Sequence, residues 1–380
     1  MSRAIYLDYN AGSPARPEVV AALIDDAGRP GNASSVHGFG REARRRMEEA
    51  RARIAALVEA DPAGLVFTSG GTEANALALR GCGHRRVLVS AVEHPSVQDG
   101  LTEAEIIPVD GNGVVNLAAL DALLAADSAP ALVAVMLANN ETGVIQPIAD
   151  IARIAHSHGA LLHCDAAQAA GRIPVSLSAL GADLLSLSGH KLGGLPGSGA
   201  LVLADPKRPL APILLGGGQE RRRRAGTENL PGIVGFGIAA ALAEAEIKDG
   251  TLPLEIRTMR DHLEKQALRR VPQGLVLGSI APRLPNTTCL ALPGVAAHTQ
   301  VMALDLAGLA VSAGSACSSG KVAESRVLAA MGASAEIRGS AIRVSLGWAS
   351  TPEDVECFLS AWTDLASRKG FTVAPAAKAA

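Results

Sequence analysis

Residues 131–165 read ALVAVMLANNETGVIQPIADIARIAHSHGALLHCD. The runs ALVAVMLA and ALLHCD are apolar throughout and predict two buried β-strands. Between them, PIADIARIAHSHG has the apolar spacing of a helix. Short strands that are apolar on both faces and separated by helices are typical of parallel sheets, because the crossover helices cover both faces. This stretch therefore predicts an α/β fold with a mostly parallel sheet.

The same alternation extends outward on both sides. LVFT is followed by the helical SGGTEANALAL, and DLLSLSGHK precedes the strand-like ALVLA. After a long helical stretch, at about 231–270, the short strands GLVLG, TTCLALP, LAVS and AIRVSLG interleave with helices. We predict a large cofactor-binding domain over 15–255, a smaller α+β domain over 1–14 and 256–370, and a flexible tail over 371–380.

Composition limits the partners. Apolar residues make up 48% of the 380, and the formal net charge of −2 gives no reason to expect nucleic acid or an anionic membrane surface as partner. The N-terminal MSRAIYLDYN lacks the apolar run of a signal peptide. No stretch approaches 18 uninterrupted apolar residues, so no membrane span is expected. We expect a cytoplasmic protein.

The five cysteines contain no C-x-x-C pair, which argues against a disulfide framework and a zinc ribbon. Cys164 and Cys289 lie in β-like runs and Cys357 lies in a helical pattern, so we predict that all three are buried in the core. Cys82, in GCG, is predicted to be a loop thiol. Cys317 differs from them because it lies in SAGSACSSG, a run of small, flexible residues.

Polar side chains follow several predicted strands, where ligands bind in open α/β sheets. Ser69-Gly70-Gly71-Thr72 precedes a helix and predicts a phosphate cradle, although a capped helix start explains it equally well. Asp165 and Gln168 follow ALLHCD's strand, and Ser188-Gly189-His190-Lys191 follows LLSLS. The spacing around Gly320-Lys321 excludes a P-loop.

A cradle, a strand-end carboxylate and a lysine together suit pyridoxal phosphate. The lysine amine forms a Schiff base with its aldehyde, and the carboxylate keeps its ring nitrogen protonated. Separately, Lys191 is explained as a solvated lysine and Asp165 as a turn carboxylate. Their order on successive strand ends favours a pyridoxal phosphate enzyme.

The chain resembles the cysteine desulfurases of the class V aminotransferase family, in the group whose cysteine lies in an S-G-S-A-C-type loop. The matching motifs run in order from YLDYNAGSP through GNASSVHGFG, FTSGGTEAN, VEHPSV, NNETGV, HCDAAQAAG, LSGHK, GGGQERRRRAGTEN and SAGSACSSGKV to IRVSLG. The resemblance implies the fold-type I architecture of pyridoxal phosphate transferases and an obligatory homodimer.

The resemblance also implies residue roles. Lys191 would carry the cofactor, Asp165 would pair with its ring nitrogen, and His94 would stack on the ring and serve in proton transfer. The remaining cofactor contacts would come from Gly71, Thr72, Ser188 and His190 at the phosphate, Asn140 and Gln168 near the 3-hydroxyl, and Thr227 of the neighbouring subunit. Arg343 and Asn32 would bind the substrate carboxylate, with Asn140 beside them.

Cys317 would be the nucleophile that takes sulfur from L-cysteine, which leaves as alanine. A free thiol titrates near about 8.5, so the site must activate it. The persulfide would pass to a sulfur acceptor or iron–sulfur scaffold protein, and Cys317 would then ligate a nascent cluster. A selenocysteine lyase, a small-amino-acid transaminase and a non-catalytic sulfur scaffold of the same fold are the alternatives.

The chain departs from the family pattern at Leu195-Pro196, and Arg222 replaces a frequent glycine. These departures put the shape of local loops in doubt rather than the reaction class. The run Arg221–Arg224 predicts a solvated or interface surface, although its place before Thr227 also suits a positive field at the phosphate.

Overall fold

The computed structural model describes residues 4–84, 86–101, 103–314 and 324–374. Cys317 and the end of the predicted tail, residues 375–380, lie outside the described residues.

The described chain alternates strands and helices for most of its length. The strands are β1 (Ile5–Tyr6), β2 (Leu65–Thr68), β3 (Arg86–Ser90), β4 (Glu105–Ile107), β5 (Ala131–Met136), β6 (Leu161–Asp165), β7 (Leu184–Ser188), β8 (Gly199–Leu203), β9 (Leu275–Val276), β10 (Thr287–Ala291), β11 (Leu309–Ala310), β12 (Ser312–Ala313) and β13 (Ala341–Ser345). The helices are α1 (Pro17–Ala27), α2 (Gly38–Leu57), α3 (Gly71–Gly81), α4 (Pro95–Gln98), α5 (Leu117–Ala126), α6 (Ile148–Ser157), α7 (Leu177–Leu180), α8 (Leu230–Asp249), α9 (Thr251–Arg270), α10 (Ala297–Leu306), α11 (Arg326–Ala330), α12 (Ala335–Ser340) and α13 (Pro352–Arg368). Short 3₁₀ turns cover Pro62–Gly64, Gly189–Lys191 and Gln219–Arg222.

A seven-stranded sheet in the order β2-β8-β7-β6-β5-β3-β4 forms the large layer. Only β8 runs against its two neighbours in this sheet, so the predicted mostly parallel α/β sheet is confirmed. Alternate residues of β5 enter different clusters because successive side chains point to opposite faces. Val133 and Val135 pack with residues of α2, α6 and α8, whereas Leu132 and Ala134 pack with residues of α3.

A second hydrophobic cluster lies around an antiparallel sheet in the order β12-β13-β10-β9. It buries side chains of α9, α10 and α13, including Trp362 and Phe358. The N-terminal β1 pairs with β11, and Asp8 bridges to Ser345 next to it. α13 begins with a capping box between Thr351 and Asp354, which satisfies backbone N–H groups at the helix start. The exact domain boundaries stay a prediction.

The structure differs from the sequence predictions at two places. The long helical stretch is two helices, because Gly250 adopts φ 77° after α8 and its N–H caps the carbonyl of Glu246. Cys164 and Cys289 are buried as predicted, but the prediction for Cys357 is wrong: α13 turns this thiol to solvent. Consecutive residues of a helix point in different directions, so Phe358 faces the core whereas Cys357, one position earlier, does not.

In the described part of the chain, α8 is the one helix whose length and apolar composition would suffice to cross a membrane. It packs closely against α2 and α1 and buries Phe236 and Ile233, as the core helix of a folded domain does. An apolar core helix passes the same length and composition test.

Candidate active site

The carboxyl ends of five strands converge on one edge of the large sheet. β6 ends at Asp165 and β7 at Ser188, with Lys191 in the 3₁₀ turn that follows. His94 follows β3, and Asn140 follows β5. α3 begins at the end of β2, on the same edge. The sheet topology thus brings the polar groups that follow separate strands to the place where open α/β sheets bind ligands.

Asp165 is 7% exposed and its two carboxylate oxygens have different partners. Oδ1 accepts a hydrogen bond from the backbone N–H of Ala167 at 2.9 Å, and Oδ2 accepts one from Nδ2 of Asn75 on α3 at 2.7 Å. These two donors fix the orientation of the carboxylate at the end of β6. The sequence analysis did not single out Asn75.

Lys191 lies against the N-terminal segment. Its amine donates to the backbone carbonyls of Asn10, at 2.5 Å, and Ala11, at 2.8 Å. Burial, followed by the positive charges of Arg172 and Arg343, lowers the pKa of Lys191 to about 7. At neutral pH a sizeable fraction of this amine is therefore uncharged, the form that attacks a carbonyl carbon.

Asn10 connects both layers of the molecule and was also missed from the sequence. Its carbonyl accepts from Lys191 and from Nε2 of Gln168, at 3.0 Å. Its side-chain oxygen accepts from Arg172 at 2.8 Å, and its amide donates to the carbonyl of Asn140 at 3.0 Å. Since these partners are distant in sequence, local periodicity carries no signal for this contact.

The start of α3 offers free backbone donors. Its cap residue, Gly70, makes no side-chain hydrogen bond to the helix, so the first N–H groups remain available. A Cβ placed on Gly71 would lie 3.5 Å from Cβ of Ser188, which shows how close β7 comes to the helix start. The pKa of His190 falls to about 4 through burial and the neighbouring charge of Lys191, so this ring is neutral. Helix N-termini with these properties bind phosphate groups.

His94 and Glu93 both follow β3, but His94 is exposed whereas Glu93 is buried. His94 is exposed at the sheet edge, and partial burial together with Lys191 lowers its pKa against the opposing effect of Asp165. Glu93 is buried; its Oε1 accepts from Ser90 Oγ at 2.6 Å and from a backbone N–H at 2.7 Å. Burial raises the pKa of Glu93 to about 8, so its carboxyl is largely protonated at neutral pH.

Glu93→Gln should make stability less dependent on pH. Between about pH 5 and pH 8 the folded chain keeps a proton on Glu93 that the unfolded chain has released, so the free energy of unfolding falls as pH rises, by up to about 1.4 kcal/mol per unit. Glutamine accepts the same two hydrogen bonds without ionising. Thermal unfolding at pH 6 and pH 8 should therefore show a smaller loss of Tm in this variant. Exposed Glu255→Gln should behave like the unaltered protein, and an equal loss in Glu93→Gln would contradict the assignment.

Arg343 on β13 is 4% exposed. Nη2 lies 2.7 Å from Oδ1 of Asp8, and Nη1 donates to the carbonyl of Asn140 at 3.0 Å. Nε is buried and has no partner among the residues that the structure describes. Each terminal nitrogen retains a second N–H, so the guanidinium is held in place by two groups and has donors left for a ligand.

The described residues on both sides of the Cys317 segment are held near this arginine. Ser312 Oγ donates to Oδ2 of Asp8 at 2.7 Å, and Asp8 is the carboxylate that pairs with Arg343. On the other side, Ser325 Oγ donates to Oε2 of Glu141 at 2.5 Å. Burial raises the pKa of Glu141 although the charge of Arg343 opposes the rise. Ser312 and Ser325, which flank the Cys317 segment in sequence, therefore lie close to Arg343, the substrate-binding residue that the resemblance implies.

Two predicted site residues are not joined to this cluster by hydrogen bonds in the described chain. Asn32 is exposed, and its Oδ1 accepts from the backbone N–H of Ser34 at 2.8 Å, as in an Asx turn. Thr227 and its neighbour Gly226 are exposed on the surface loop before α8.

That loop is fixed by a buried ion pair. Arg51 on α2 meets both carboxylate oxygens of Glu220, at 2.7 and 2.9 Å, and both side chains are less than a tenth exposed. Glu220 also accepts from the backbone N–H of Phe67 at 2.9 Å. Glu220, Arg221 and Arg222 have φ of 45°, 55° and 66°, a left-handed backbone that is strained for residues other than glycine. The positive φ explains why glycine is favoured at position 222.

The arginine run is used mainly for local contacts. Arg221 donates to the carbonyl of Ala63 at 2.7 Å, and Arg223 donates to carbonyls of the loop after β8. Arg224 pairs at 2.9 Å with Glu73 in the first turn of α3. Arg224 therefore offsets an acidic side chain beside the free helix N-terminus, which keeps the local field favourable for an anion.

The chain is similar to known proteins over nearly its whole length. Residues 5–358 match the aminotransferase class-V family. A cysteine desulfurase of Cereibacter sphaeroides is 41% identical over 371 residues, covering 93% of this chain and 94% of that protein. One from Sinorhizobium fredii (strain NBRC 101917 / NGR234) is 43% identical over 373 residues, with 93% and 94% covered. The solved structure of a NifS-like protein from Rickettsia africae has a TM-score of 0.90 and 35% identity, and the match covers 96% of this chain and all of that one.

Proposed function

The chain belongs to the class-V aminotransferase family and is a cysteine desulfurase, and on this basis we propose which of its residues hold the cofactor, the substrate and the transferred sulfur. The observation that carries the assignment is the convergence of Asp165, Lys191, His94 and the start of α3 on one sheet edge.

The residues present fit pyridoxal phosphate, the cofactor that the family implies. When bound, it supplies an electron sink for bond breaking in amino acid substrates. The free N–H groups at the start of α3 suit its phosphate, and Asp165 suits its ring nitrogen. Within the described residues, Oδ1 of Asn140 is buried and has no hydrogen-bond partner, so it suits the ring hydroxyl beside Gln168 as an acceptor. Thr72, Ser188 and His190, with Gly71, would complete the phosphate site.

Lys191 is the residue that would bond to the cofactor. Its amine is held by two carbonyls and is partly neutral at pH 7, because burial, followed by the charges of Arg172 and Arg343, lowers its pKa. His94 would cover the cofactor ring from the β3 side. Both side chains come from short segments that directly follow strands of the large sheet, which suits the positioning of reacting groups.

Arg343 would bind the carboxylate of L-cysteine. Asp8 and the Asn140 carbonyl orient the guanidinium, and its remaining N–H groups match a carboxylate in a bidentate arrangement. Asn140 would lie next to this carboxylate, since its own carbonyl contacts the same guanidinium. Asn32 would reach the substrate only if its exposed loop changed conformation, or if it belonged to the second subunit of a dimer.

Arg343→Lys should weaken substrate binding and leave the cofactor in place. An ammonium is a point charge and cannot donate two parallel hydrogen bonds, so KM for L-cysteine should rise about tenfold or more. The visible absorption of the bound cofactor should stay unchanged. Arg338→Lys, in an ion pair with Glu324, is the matched control. Loss of the cofactor absorption in Arg343→Lys would instead place Arg343 in the cofactor site or the fold.

Cys317 would accept the sulfur atom and pass it to an acceptor protein, an iron–sulfur scaffold in the simplest case, whose nascent cluster Cys317 would help to ligate. The anchoring of Ser312 and Ser325 next to Arg343 supports this, since it brings both flanks of the segment to the substrate carboxylate site. Purified protein incubated with L-cysteine and a thiol reductant should release alanine and sulfide in equal amounts. Keto acid instead of alanine would favour a transaminase, and a preference for selenocysteine would favour a selenocysteine lyase.

We also propose that Thr227 completes the phosphate site of a second subunit. Its exposure on a loop that is tightly fixed by Arg51 and Glu220 supports this, because the loop presents the hydroxyl outward. The expected result is a homodimer whose activity falls when it is diluted below its dissociation constant. A fully active monomer of 38.7 kDa in sedimentation would refute the shared site.

A further inference from the structure

A chain of hydrogen bonds joins Asp165 to His94 through two residues that the function has not yet used. Nδ2 of Asn75 donates to Asp165 Oδ2 at 2.7 Å and to Ser96 Oγ at 2.9 Å. Ser96 Oγ lies 2.8 Å from Nδ1 of His94, and the backbone N–H of Ser96 donates to the same nitrogen at 3.1 Å. The chain links α3, the turn before α4 and the end of β6.

Each hydrogen bond in this chain has one possible direction. An amide NH₂ only donates, and it uses both hydrogens, on the carboxylate and on Ser96 Oγ. The serine oxygen therefore accepts from Asn75, and its own proton points to His94. A backbone N–H cannot accept, so Nδ1 of His94 must be the acceptor for Ser96. Neutral His94 consequently carries its proton on Nε2.

Burial fixes the orientation of Asn75. The residue is 1% exposed, and in the described part of the chain its buried Oδ1 has no hydrogen-bond partner. Turning the amide over would bring this oxygen against the Asp165 carboxylate, where two acceptors repel each other. The orientation of the amide is therefore fixed by the two hydrogen bonds that Nδ2 donates, although its oxygen stays unsatisfied.

We propose that Asn75 and Ser96 are positioning residues that hold His94 as the neutral imidazole protonated on Nε2, so that its Nε2–H is the group that His94 offers to the substrate. The role of His94 toward substrate rests on the proposed function, but its tautomer does not. A protonated ring would place a hydrogen on Nδ1 against the N–H of Ser96, so the neutral donor form is favoured.

The charged groups around His94 agree with a neutral ring. Partial burial of the ring has the largest effect and lowers the pKa of His94. Lys191, which follows β7, lowers this pKa further, whereas Asp165 on β6 and Asp99 at the end of α4 raise it. Asn75 stands between Asp165 and Ser96, so the carboxylate is satisfied by the amide and does not need a proton from His94.

The tautomer can be read directly by nitrogen NMR of holoenzyme labelled with ¹⁵N-histidine. The His94 signals are identified by their loss in His94→Gln. We expect Nδ1 at the position of an unprotonated nitrogen and Nε2 at that of an N–H, from pH 8 down to about pH 6. Protonation of Nδ1 in the neutral ring would overturn the proposal.

The bridge that Asn75 and Ser96 form between Asp165 and His94 is tested by variants in the same experiment. Ser96→Ala removes a donor to the neutral ring, so the titration midpoint of His94 should rise by about one pH unit, a tenfold change in its ionisation constant. Ser96→Thr keeps the hydroxyl and should restore the midpoint. Ser334→Ala, which removes a capping hydroxyl at α12, is the matched control and should leave His94 unchanged.

Asn75→Ala should shift the midpoint in the same direction, and the double variant with Ser96→Ala should shift it no further than Ser96→Ala alone, because both act through one path. Additive shifts, or an unchanged midpoint in Ser96→Ala, would overturn the bridge. These readings need no turnover. A holoenzyme that shows the expected tautomer but makes no alanine from L-cysteine would contradict the proposed function and leave the bridge intact.

Discussion

Cys317→Ser should abolish the formation of alanine from L-cysteine and leave the cofactor bound. The serine hydroxyl is not ionised at neutral pH and does not attack sulfur, so the rate should fall by about 10³-fold or more. The residues assigned to the cofactor belong to the large sheet edge, away from this segment in sequence, so the visible absorption should persist. L-cysteine should still change that absorption, because Arg343 and Lys191 are unaltered.

Cys357→Ser is the matched control for the loss of a thiol. Cys357 is the exposed cysteine of α13, and its replacement should leave alanine formation unchanged. If Cys317→Ser kept ordinary alanine production, Cys317 would not be the sulfur acceptor, and the chemistry would fall back to that of a general pyridoxal phosphate lyase.

Lys191→Ala should remove both the absorption of the lysine-linked cofactor and the activity. Its amine is the one that the structure places among Asn10, Arg172 and Asp165 with a pKa near 7. Without it, the remaining hydrogen bonds to phosphate and ring can retain some cofactor but cannot attach it, and turnover should drop by about 10³-fold or more.

The control for this variant is Lys207→Ala, since Lys207 is exposed on the loop after β8. Absorption spectra before and after removal of free cofactor distinguish attachment from simple binding. A lysine-linked absorption band that survives in Lys191→Ala would show that another amine carries the cofactor.

Several features of the fold were predictable because they depend on local pattern. Apolar runs separated by helical segments predicted the parallel sheet, and Asp165 and Lys191 lie at the carboxyl ends of its strands, where that pattern places them. These signals are local because strand and helix periods are properties of a few consecutive residues.

Other features depend on contacts between distant residues, which periodicity does not encode. Asn10 contacts Lys191 across a separation of 181 positions in sequence, and Asn75 on α3 contacts Asp165 at the end of β6. The sequence did contain one signal for Asn75: it is a polar residue on the otherwise apolar buried face of α3, and a buried polar side chain needs a hydrogen-bond partner. The break at Gly250 was signalled by glycine itself, which favours the end of a helix.

The most direct test of the account is mass spectrometry of the holoenzyme after a single exposure to L-cysteine without reductant. The account predicts that the peptide containing Cys317 gains the mass of one sulfur atom and that one alanine is released for each persulfide formed. Peptides containing Cys82, Cys164, Cys289 and Cys357 should be unchanged. A persulfide on any of these cysteines, or alanine released with Cys317 unmodified, would contradict the account.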